Sequence, residues 1–429
     1  MIDSLYIAKS GLNTSRYSVD VTSNNIANEN SDGYIKRVVN TSELSTLEND
    51  IGNGVSFDGV TRSASVYLYD KLVSQSSLAS YYEQEDSILA NLEIMFSETE
   101  SSGFSSTLNN FFNSLESLRN DSTNLIYQNE LSTQSSLLVD SLQSLNNELE
   151  DTFKTTIEQL EEQVDSVNNI LEQIVYLNER IIQSNTSSYD LLDKRDALEK
   201  ELSTYTNIEV NRDNDTYNLK ISGVNVIFNN TNLHELSISG DFSDLDNLDT
   251  SLTVYNNKLS LSSGSLKSLT QNLTSSSSNI SSYKQSLNDF ASALVDYTSN
   301  NSSVALFSGT DVNSLTFNKN NISSLTNGDL ENLAQIQWDD NISIGSSNSS
   351  FSKFYQNLLV TISSNVENNN FKLESQNAIV NSLESTYNNL TKVDPDEEMI
   401  NLLQYQAAYE ANAKVITVVD EMLQTLLNM

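Results

Sequence analysis

The sequence has 429 residues, of which 58 are acidic, 22 are basic and none is cysteine. This length accommodates about three domains of roughly 150 residues each, and a hydrophobic content of 37% indicates folded cores. The formal net charge of −36 repels phosphate backbones and anionic lipid surfaces, so nucleic-acid and membrane partners are not expected. The lack of cysteine excludes disulfides and zinc–thiolate sites.

Targeting signals are not evident in the sequence. The N-terminus lacks a basic segment followed by an apolar one, so no cleaved leader is predicted. No run of about 18 apolar residues occurs, which argues against a membrane span. Composition alone therefore predicts a cytoplasmic protein.

A heptad pattern predicts the first helix over residues 4–27. Its seam alternates steps of three and four and is diluted by small and polar residues: Leu5, Ala8, Leu12, Ser15, Val19, Thr22 and Ile26. Glycines punctuate an alternating pattern over 51–66, which indicates an extended segment or hairpin. Helix is predicted again over 67–96 and, after a Ser-Ser-Gly break at 101–103, from residue 104 onward.

The longest predicted helix covers residues 129–183. Its apolar stripe consists of Leu138, Leu142, Leu145, Leu149, Phe153, Ile157, Leu160, Val164, Val167, Leu171 and Ile174. Consecutive steps of four at 149→153→157 form a stutter, which relaxes a left-handed supercoil locally. A polar break at 184–188 precedes a shorter helix predicted over 189–204.

A period of two replaces the helical period after residue 206. Alternating apolar residues predict a small β domain over 206–263, with one hairpin turning at 213–215 and another at Asn256-Asn257. Helix is predicted over 266–298, and 304–345 is expected to be irregular, with short strands at 304–307 and 315–317. Two long helices, 351–391 and 396–428, complete the pattern.

The last predicted helix has a well-marked start and a wide apolar face. Asp394 before Pro395 is typical of an N-cap followed by proline at the first helical position. Two apolar seams lie side by side beyond it, and one partner helix cannot cover both. We therefore expect this helix to pair with the first one and to leave apolar surface for neighbouring subunits. The predicted assembly interface comprises Leu5, Ala8, Leu12, Val19, Ile26, Tyr409, Ile416, Val419, Leu423 and Leu427.

Residues capable of catalysis or metal binding are few. His234 is the single histidine and is interpreted as an exposed loop or strand residue rather than a catalytic one, since no second histidine or cysteine accompanies it. The acidic loop at 241–249 lacks the spacing of a calcium-binding loop and is interpreted as solvated. The acidic residues at 394–398 fit a helix cap better than a metal site. No enzyme activity and no cofactor are predicted.

Motifs at both ends resemble those of one family. Ser10-Gly11-Leu12, the segment Val-Thr-Ser-Asn-Asn-Ile-Ala-Asn at 21–28 and Gly33-Tyr34 resemble the N-terminal signature of flagellar rod, hook and hook-associated proteins. Residues 405–416 and 420–427 resemble the C-terminal signature. The segment Tyr-Asp-Leu-Leu-Asp-Lys-Arg-Asp-Ala-Leu at 189–198 resembles the hook-associated protein 1 family in particular. The N-terminal motif residues singled out are Asn24, Asn25, Ile26, Ala27, Asn28, Gly33 and Tyr34.

The resemblance implies a structural subunit at the junction of hook and filament. Its implied partners are further copies of itself in a ring, the hook protein, the next hook-associated protein and a cytoplasmic export chaperone at the C-terminal helix. It also implies export through the flagellar type III apparatus without a cleaved signal, which replaces the cytoplasmic prediction by an extracellular flagellar one. A filament, hook or other hook-associated subunit is one alternative, and a secreted enzyme with flagellar-type ends is another.

The predicted fold is mainly α with a small β insert, and its long helical coiled coil or bundle is built from both halves of the chain. Three domains are expected. Residues 1–40 and 395–429 form a terminal helical assembly domain that is disordered in the monomer, because neither stripe can be buried alone. Residues 41–205 and 264–394 form the helical bundle, and 206–263 form an outer β domain.

Overall fold

The computed structural model describes residues 2–44, 52–98, 102–184, 188–212, 216–245 and 247–428. Its α-helices are α1 (Ile2–Ala27), α2 (Val66–Met95), α3 (Phe104–Asn120), α4 (Leu125–Gln183), α5 (Tyr189–Tyr205), α6 (Ser265–Asn272), α7 (Asn279–Asn300), α8 (Asn327–Gln335), α9 (Phe351–Thr391) and α10 (Pro395–Leu427). Two 3-10 helices cover Lys319–Ser324 and Ile336–Trp338. None of the described helices combines the length and apolar character needed to cross a bilayer.

The strands are short and pair antiparallel. They are β1 (Arg37–Glu43), β2 (Val55–Arg62), β3 (Ile208–Asn211), β4 (Asn218–Ile221), β5 (Val224–Phe228), β6 (Asn232–Leu233), β7 (Ser237–Ser239), β8 (Ser251–Val254), β9 (Asn257–Lys258), β10 (Phe307–Ser308), β11 (Thr316–Phe317), β12 (Ser343–Ile344) and β13 (Ser347–Asn348). The predicted fold class, mainly α with a small β insert, is confirmed.

The chain divides into two compact units. The first contains Met1–Gln75, Glu172–Glu201 and Ala378–Met429, and the second contains Ser76–Leu171 and Leu202–Asn377. Several long helices contribute residues to both units. The three-domain division expected from the sequence stays a prediction.

In the first unit, a hairpin of β1 and β2 packs against α1. The Val55 amide donates a hydrogen bond to the Ser10 hydroxyl at 3.2 Å, and the Tyr17 and Phe57 rings stack with their centroids 4.3 Å apart. Gly54 has a φ of +101°, and a Cβ there would lie 2.2 Å from Ser10 Oγ, so this close approach needs glycine. The sequence predicted the β2 region but not its partner β1, and residue 51 lies outside the described residues.

The helix α4, whose residues up to Leu171 belong to the second unit, carries a continuous core stripe. All the predicted stripe positions of α4 are buried except Ile157, which is half-buried, while the side chain of Thr156 takes the inward position. The Thr156 hydroxyl donates to the Thr152 carbonyl at 2.7 Å, which satisfies its donor inside the core. Buried positions therefore step 149→153→156→160, as in a nearly straight helix. The step predicted at Ile157 was wrong by one residue.

The single helix predicted over 266–298 is two helices, α6 and α7, separated at residues 273–278. The Ser275 amide donates to the Leu248 carbonyl at 2.8 Å, and the Ser278 hydroxyl accepts from the Ser281 amide at 3.1 Å as the N-cap of α7. These bonds replace the helical ones. A contact with a distant loop thus ends a helix that the local sequence would continue.

The β insert also belongs to the second unit. It forms a four-stranded sheet in the order β3-β4-β5-β6 and a three-stranded sheet in the order β7-β8-β9. The turn between β8 and β9 is at Tyr255-Asn256, where φ is +50° and +60°, so the predicted turn was one residue late; the predicted turn at 213–215 lies outside the described residues. His234 is half-buried and not exposed, with its ring centroid 4.2 Å from that of Tyr255.

The segment expected to be irregular, 304–345, contains β10 and β11 near the predicted positions and also α8. A capping box begins α8: the Thr326 hydroxyl accepts from the Asp329 amide, and the Asp329 carboxylate accepts from the Thr326 amide at 2.8 Å. Leu330 and Leu333 are fully buried. The helix was missed because only these two apolar residues mark its period.

Candidate functional site

The terminal helices α1 and α10 form an antiparallel pair. Asn25 Nδ2 donates to Glu398 Oε2 at 2.9 Å, and fourteen positions away along each helix a Cβ on Gly11 would lie 2.8 Å from Asn412 Nδ2. The helices approach so closely because glycine and other small residues line α1 at the contact. This terminal helix pair is the arrangement expected from the two apolar stripes.

The contact face of α1 is made of small and polar residues. Its buried side chains, spaced by three, four or seven, are Ala8, Ser15, Ser18, Thr22 and Asn25. The Ser15 hydroxyl donates to the Gly11 carbonyl at 2.8 Å, which allows its burial without an unpaired donor. The larger Leu12 and Val19 are half-buried beside this face. The pair is therefore held by close backbone approach, and the large apolar side chains retain exposed surface.

The wide apolar face of α10 is divided between the inside and the outside of the pair. Val419 is 6% exposed, and Ile416 and Leu423 are half-buried. On the neighbouring strip, which we call the exposed stripe, apolar side chains are 44–54% exposed: Val415, Val418, Met422 and Leu426. An apolar strip of this kind is typical of an interaction surface.

The ten predicted interface residues all lie on the terminal helix pair. Ala8 and Val419 are buried. Leu5, Leu12, Val19, Ile26, Ile416 and Leu423 are half-buried, and Tyr409 and Leu427 are exposed. Their contact with other subunits stays a prediction.

Asn25 connects the N-terminal motif to α10 and to the hairpin. Its Nδ2 also donates to the Arg37 carbonyl at 2.9 Å, while its Oδ1 accepts from the Arg37 amide at 2.9 Å and from the Tyr34 hydroxyl at 2.8 Å. Burial raises the pKa of Tyr34, so the phenol remains a donor at neutral pH. Gly33, with a φ of +73°, makes the turn that brings Tyr34 back to the end of α1.

The N-terminal motif, 21–34, and the 189–198 motif are connected through Arg37, whose amide donates to Asn25 Oδ1 and whose guanidinium pairs with Asp193. The Asp193 carboxylate accepts from Arg37 at 2.5 Å and from Arg62 at 3.0 Å, and its Oδ2 lies 3.3 Å from the Ile35 amide. Arg62 also pairs with Asp196 at 2.6 Å. Burial lowers the pKa of Arg62, but these two carboxylates outweigh it and raise the pKa. We call Asn25, Arg37, Arg62, Asp193 and Glu398 the motif cluster.

The motif cluster extends to the start of α10. Lys36 Nζ lies 2.9 Å from Glu397 Oε2 and 3.1 Å from Glu398 Oε1. Burial lowers the pKa of Lys36, but the hydrogen bonds that Lys36 donates to both carboxylates raise it by more. Asp394 caps α10 by accepting from the Asp396 amide at 3.0 Å. The acidic residues of this segment thus serve as cap and ion-pair partners within the described structure.

The motif cluster holds the terminal helix pair, the hairpin and α5 together within the first unit. The sequence pointed to Asn25, Tyr34 and the 189–198 motif, and Val60-Thr-Arg62 also resembles a segment of the family. It did not indicate Arg37, nor the partners of Arg62 and Glu398, because the bonded residues lie 131 to 373 positions apart. Asn24 and Asn28 make hydrogen bonds within the N-terminal motif. Asn24 Oδ1 accepts from the Tyr34 hydroxyl at 3.0 Å, and Asn28 Nδ2 donates to the Asn24 carbonyl at 2.9 Å.

The acidic loop before β8 makes local hydrogen bonds. Asp241 Oδ1 accepts from the Ser243 amide at 2.9 Å. Hydrogen bonds from the Ser243 side chain and backbone lower the pKa of Asp241. Asp249 pairs with Lys258 at 3.4 Å. Asp246 lies outside the described residues. Among the described residues, no group of three or more His, Asp or Glu side chains is arranged to hold a metal ion.

Known proteins resemble the chain in its middle and at both ends. Residues 89–314, more than half of the chain, match the flagellar hook-associated protein FlgK helical domain. Residues 5–34 match the flagella basal body rod protein model, and 384–429 match the C-terminal model of the flagellar basal body rod FlgEFG proteins.

Individual relatives agree with these matches. Flagellar hook-associated protein 1 of Salmonella typhimurium is 32% identical to this chain; the match covers 50% of this chain and 40% of the relative. Flagellar hook-associated protein 1 of Escherichia coli is 30% identical; the match covers 50% of this chain and 41% of the relative. The chain thus spans about two fifths of the length of these relatives. The flagellar hook junction protein FlgK from Burkholderia pseudomallei shares the fold, with a TM-score of 0.50 and 19% identity over 56% of this chain and 46% of that one. The chain therefore belongs to the flagellar hook-associated protein FlgK family.

Proposed function

We propose that this chain is a non-enzymatic structural subunit of the bacterial flagellum, located at the junction between hook and filament. The observation that supports it best is the motif cluster, where Arg37 connects two motifs of the family by bonding Asn25 and Asp193, and where Asn25 bonds Glu398 of α10. The names of its relatives, hook-associated protein 1 and hook junction protein, support the same location.

The proposed mechanism is assembly by coupled folding. Each buried large apolar side chain contributes about 1.5–3 kcal/mol, whereas ordering the backbone costs about 1–2 kcal/mol per residue. The buried face of α1 offers chiefly small residues, so the pair gains little from its own contact. Covering the exposed stripe with neighbouring subunits supplies the missing burial. The two ends are therefore disordered in the monomer and become ordered at the growing tip.

The proposed partners follow from the same surface. Further copies of the chain in a ring, the hook protein and the next hook-associated protein cover the exposed stripe in the flagellum. Before assembly, a cytoplasmic chaperone covers α10, and the type III apparatus exports the chain to the exterior. An unprotected apolar strip would otherwise promote aggregation.

The assembly role is tested by charging the exposed stripe. Met422 is 50% exposed, so Met422→Asp leaves the melting temperature of the purified monomer unchanged. In a covered interface the same carboxylate loses its water and costs several kcal/mol, so cells release filament subunits into the medium and do not swim. Thr417→Asp is the control, since residue 417 is also exposed on α10 but lies outside the stripe. Normal filaments in Met422→Asp cells would overturn the proposal.

The disorder of the ends is tested by hydrogen exchange. In the monomer, amides of residues 2–35 and 400–428 should exchange much faster than those of 130–183, and they should become protected in isolated hook–filament complexes. Equal protection of ends and α4 in a verified monomer would contradict coupled folding. Immuno-labelling of the same complexes checks the location, since label along the filament or hook would favour a different flagellar subunit.

A further inference from the structure

A cavity of about 380 Å³ in the second unit has the composition of a saccharide site. Its walls come from the end of α7, from α8 and from the 3-10 helix after it: Asn301, Asn332, Gln335, Ile336, Trp338 and Asp339. Small-molecule sites have volumes of about 300–1,000 Å³ and combine an apolar surface with a few polar groups. The cavity has both.

Trp338 is the apolar surface of the cavity. It is 78% exposed, which is unusual for the largest side chain, because burying an indole is strongly favourable. Its neighbour Ile336 is 4% exposed and fixes the 3-10 helix to the core. The Asp339 amide donates to the Ile336 carbonyl at 3.3 Å. The indole is thus presented on a fixed backbone.

Polar groups with unused hydrogen-bonding capacity surround the indole. Asn332 makes no side-chain hydrogen bond to the residues that the structure describes. Asn301 uses its Nδ2 on the Tyr297 carbonyl at 2.9 Å, and Gln335 uses its Nε2 on Glu331 at 3.3 Å. Their amide oxygens still offer acceptor positions.

We propose that this cavity binds a neutral saccharide. The C–H face of a pyranose ring packs against an indole, and its hydroxyl groups both donate to and accept from carboxamides. The lining holds one carboxylate, that of Asp339, and no cationic side chain. Together with the net charge of −36, this disfavours anionic glycans and phosphates. A neutral sugar is the ligand class that satisfies the amides without a charge partner.

The chain supplies its own reporter, because Trp338 is its only tryptophan. Maltotriose, lactose and tri-N-acetylchitotriose are titrated into the purified full-length protein while tryptophan emission is followed. At least one of them shifts the emission to shorter wavelength with a Kd on the order of 1 mM, since the sugar removes water from the indole. Sialyllactose, the anionic comparison, produces no saturable shift.

Variants separate this site from general surface effects. Saturation-transfer NMR of the sugar signals reports binding without the tryptophan. Trp338→Ala abolishes the transfer, and Asn332→Ala weakens binding about tenfold or more. Phe371→Ala is the control, because Phe371 is a similarly exposed aromatic residue of the same unit at 74%; it leaves binding unchanged. All three variants melt like the parent protein.

Three results would overturn the proposal. The first is the absence of a saturable shift with every neutral sugar. The second is saturation transfer that survives Trp338→Ala. The third is an emission shift that depends on protein concentration without sugar, since it would mean that a second copy of the chain covers Trp338. None of these results bears on the flagellar location, which the stripe variants test separately.

Discussion

Removing the charge of Asp193 should loosen the hairpin from α5. The Asp193 carboxylate is 6% exposed and forms an ion pair with Arg37, which is 8% exposed. It also pairs with Arg62, which forms a second ion pair with Asp196. Asp193→Asn keeps the shape but leaves the Arg37 guanidinium in the cluster without its carboxylate. Breaking a buried ion pair by removing one partner costs about 3–5 kcal/mol. Because Arg62 keeps Asp196, we expect the lower end, about 3 kcal/mol.

The measurement is native-state hydrogen exchange of the β1–β2 hairpin and α5 in isolated hook–filament complexes, in which the proposed mechanism orders the terminal helices. Asp190→Asn is the matched control, as Asp190 is an exposed aspartate in the first turn of the same helix; it should change the free energy of opening by about 0.5 kcal/mol or less. The Asp193→Asn effect should be similar in low and high salt, because buried pairs are weakly screened.

A double-mutant cycle isolates the pair itself. Arg37→Met combined with Asp193→Asn removes both charges, so the double variant should be less destabilised than the sum of the single variants, with a coupling of about 1–3 kcal/mol. If Asp193→Asn opened no more readily than Asp190→Asn, the motif cluster would not hold the hairpin to α5. An additive cycle would mean that Arg37 and Asp193 do not interact.

Three further outcomes are expected. Asn25→Asp places a carboxylate beside Glu398, because Asn25 Nδ2 lies 2.9 Å from Glu398 Oε2. Isolated hook–filament complexes of this variant should dissociate at a lower urea concentration than the parent complexes. The difference should be smaller at pH 5 than at pH 7, because protonation relieves the repulsion between the two carboxylates. Leu160→Asp puts a charge at a position with 0% exposure and should lower the melting temperature sharply. Hydrogen bonds from Thr326 lower the pKa of Asp329 to about 2, from 3.8; its stabilising contribution should be complete above pH 3.8 and lost as pH falls toward 2, which NMR titration of Asp329 checks.

Local patterns in the sequence determined the long helices. The heptad seam from Leu5 to Ile26 lies within α1, the cap at Asp394 and Pro395 begins α10, and the apolar stripe from Leu138 to Ile174 lies within α4. These features are local because helical hydrogen bonds and caps join residues three or four positions apart. The two terminal motifs likewise identified the family, since motif recognition needs only residue order.

Tertiary structure alone decided where helices end against distant loops and which residues meet. No proline or glycine separates α6 from α7; a hydrogen bond from Ser275 to Leu248 accompanies the break. The bond between Asn25 and Glu398 joins residues 373 positions apart, and no periodicity records such a partner. The inward face of α1 was likewise set by how closely Gly11 approaches Asn412, because a small residue becomes a contact point only when another helix lies against it.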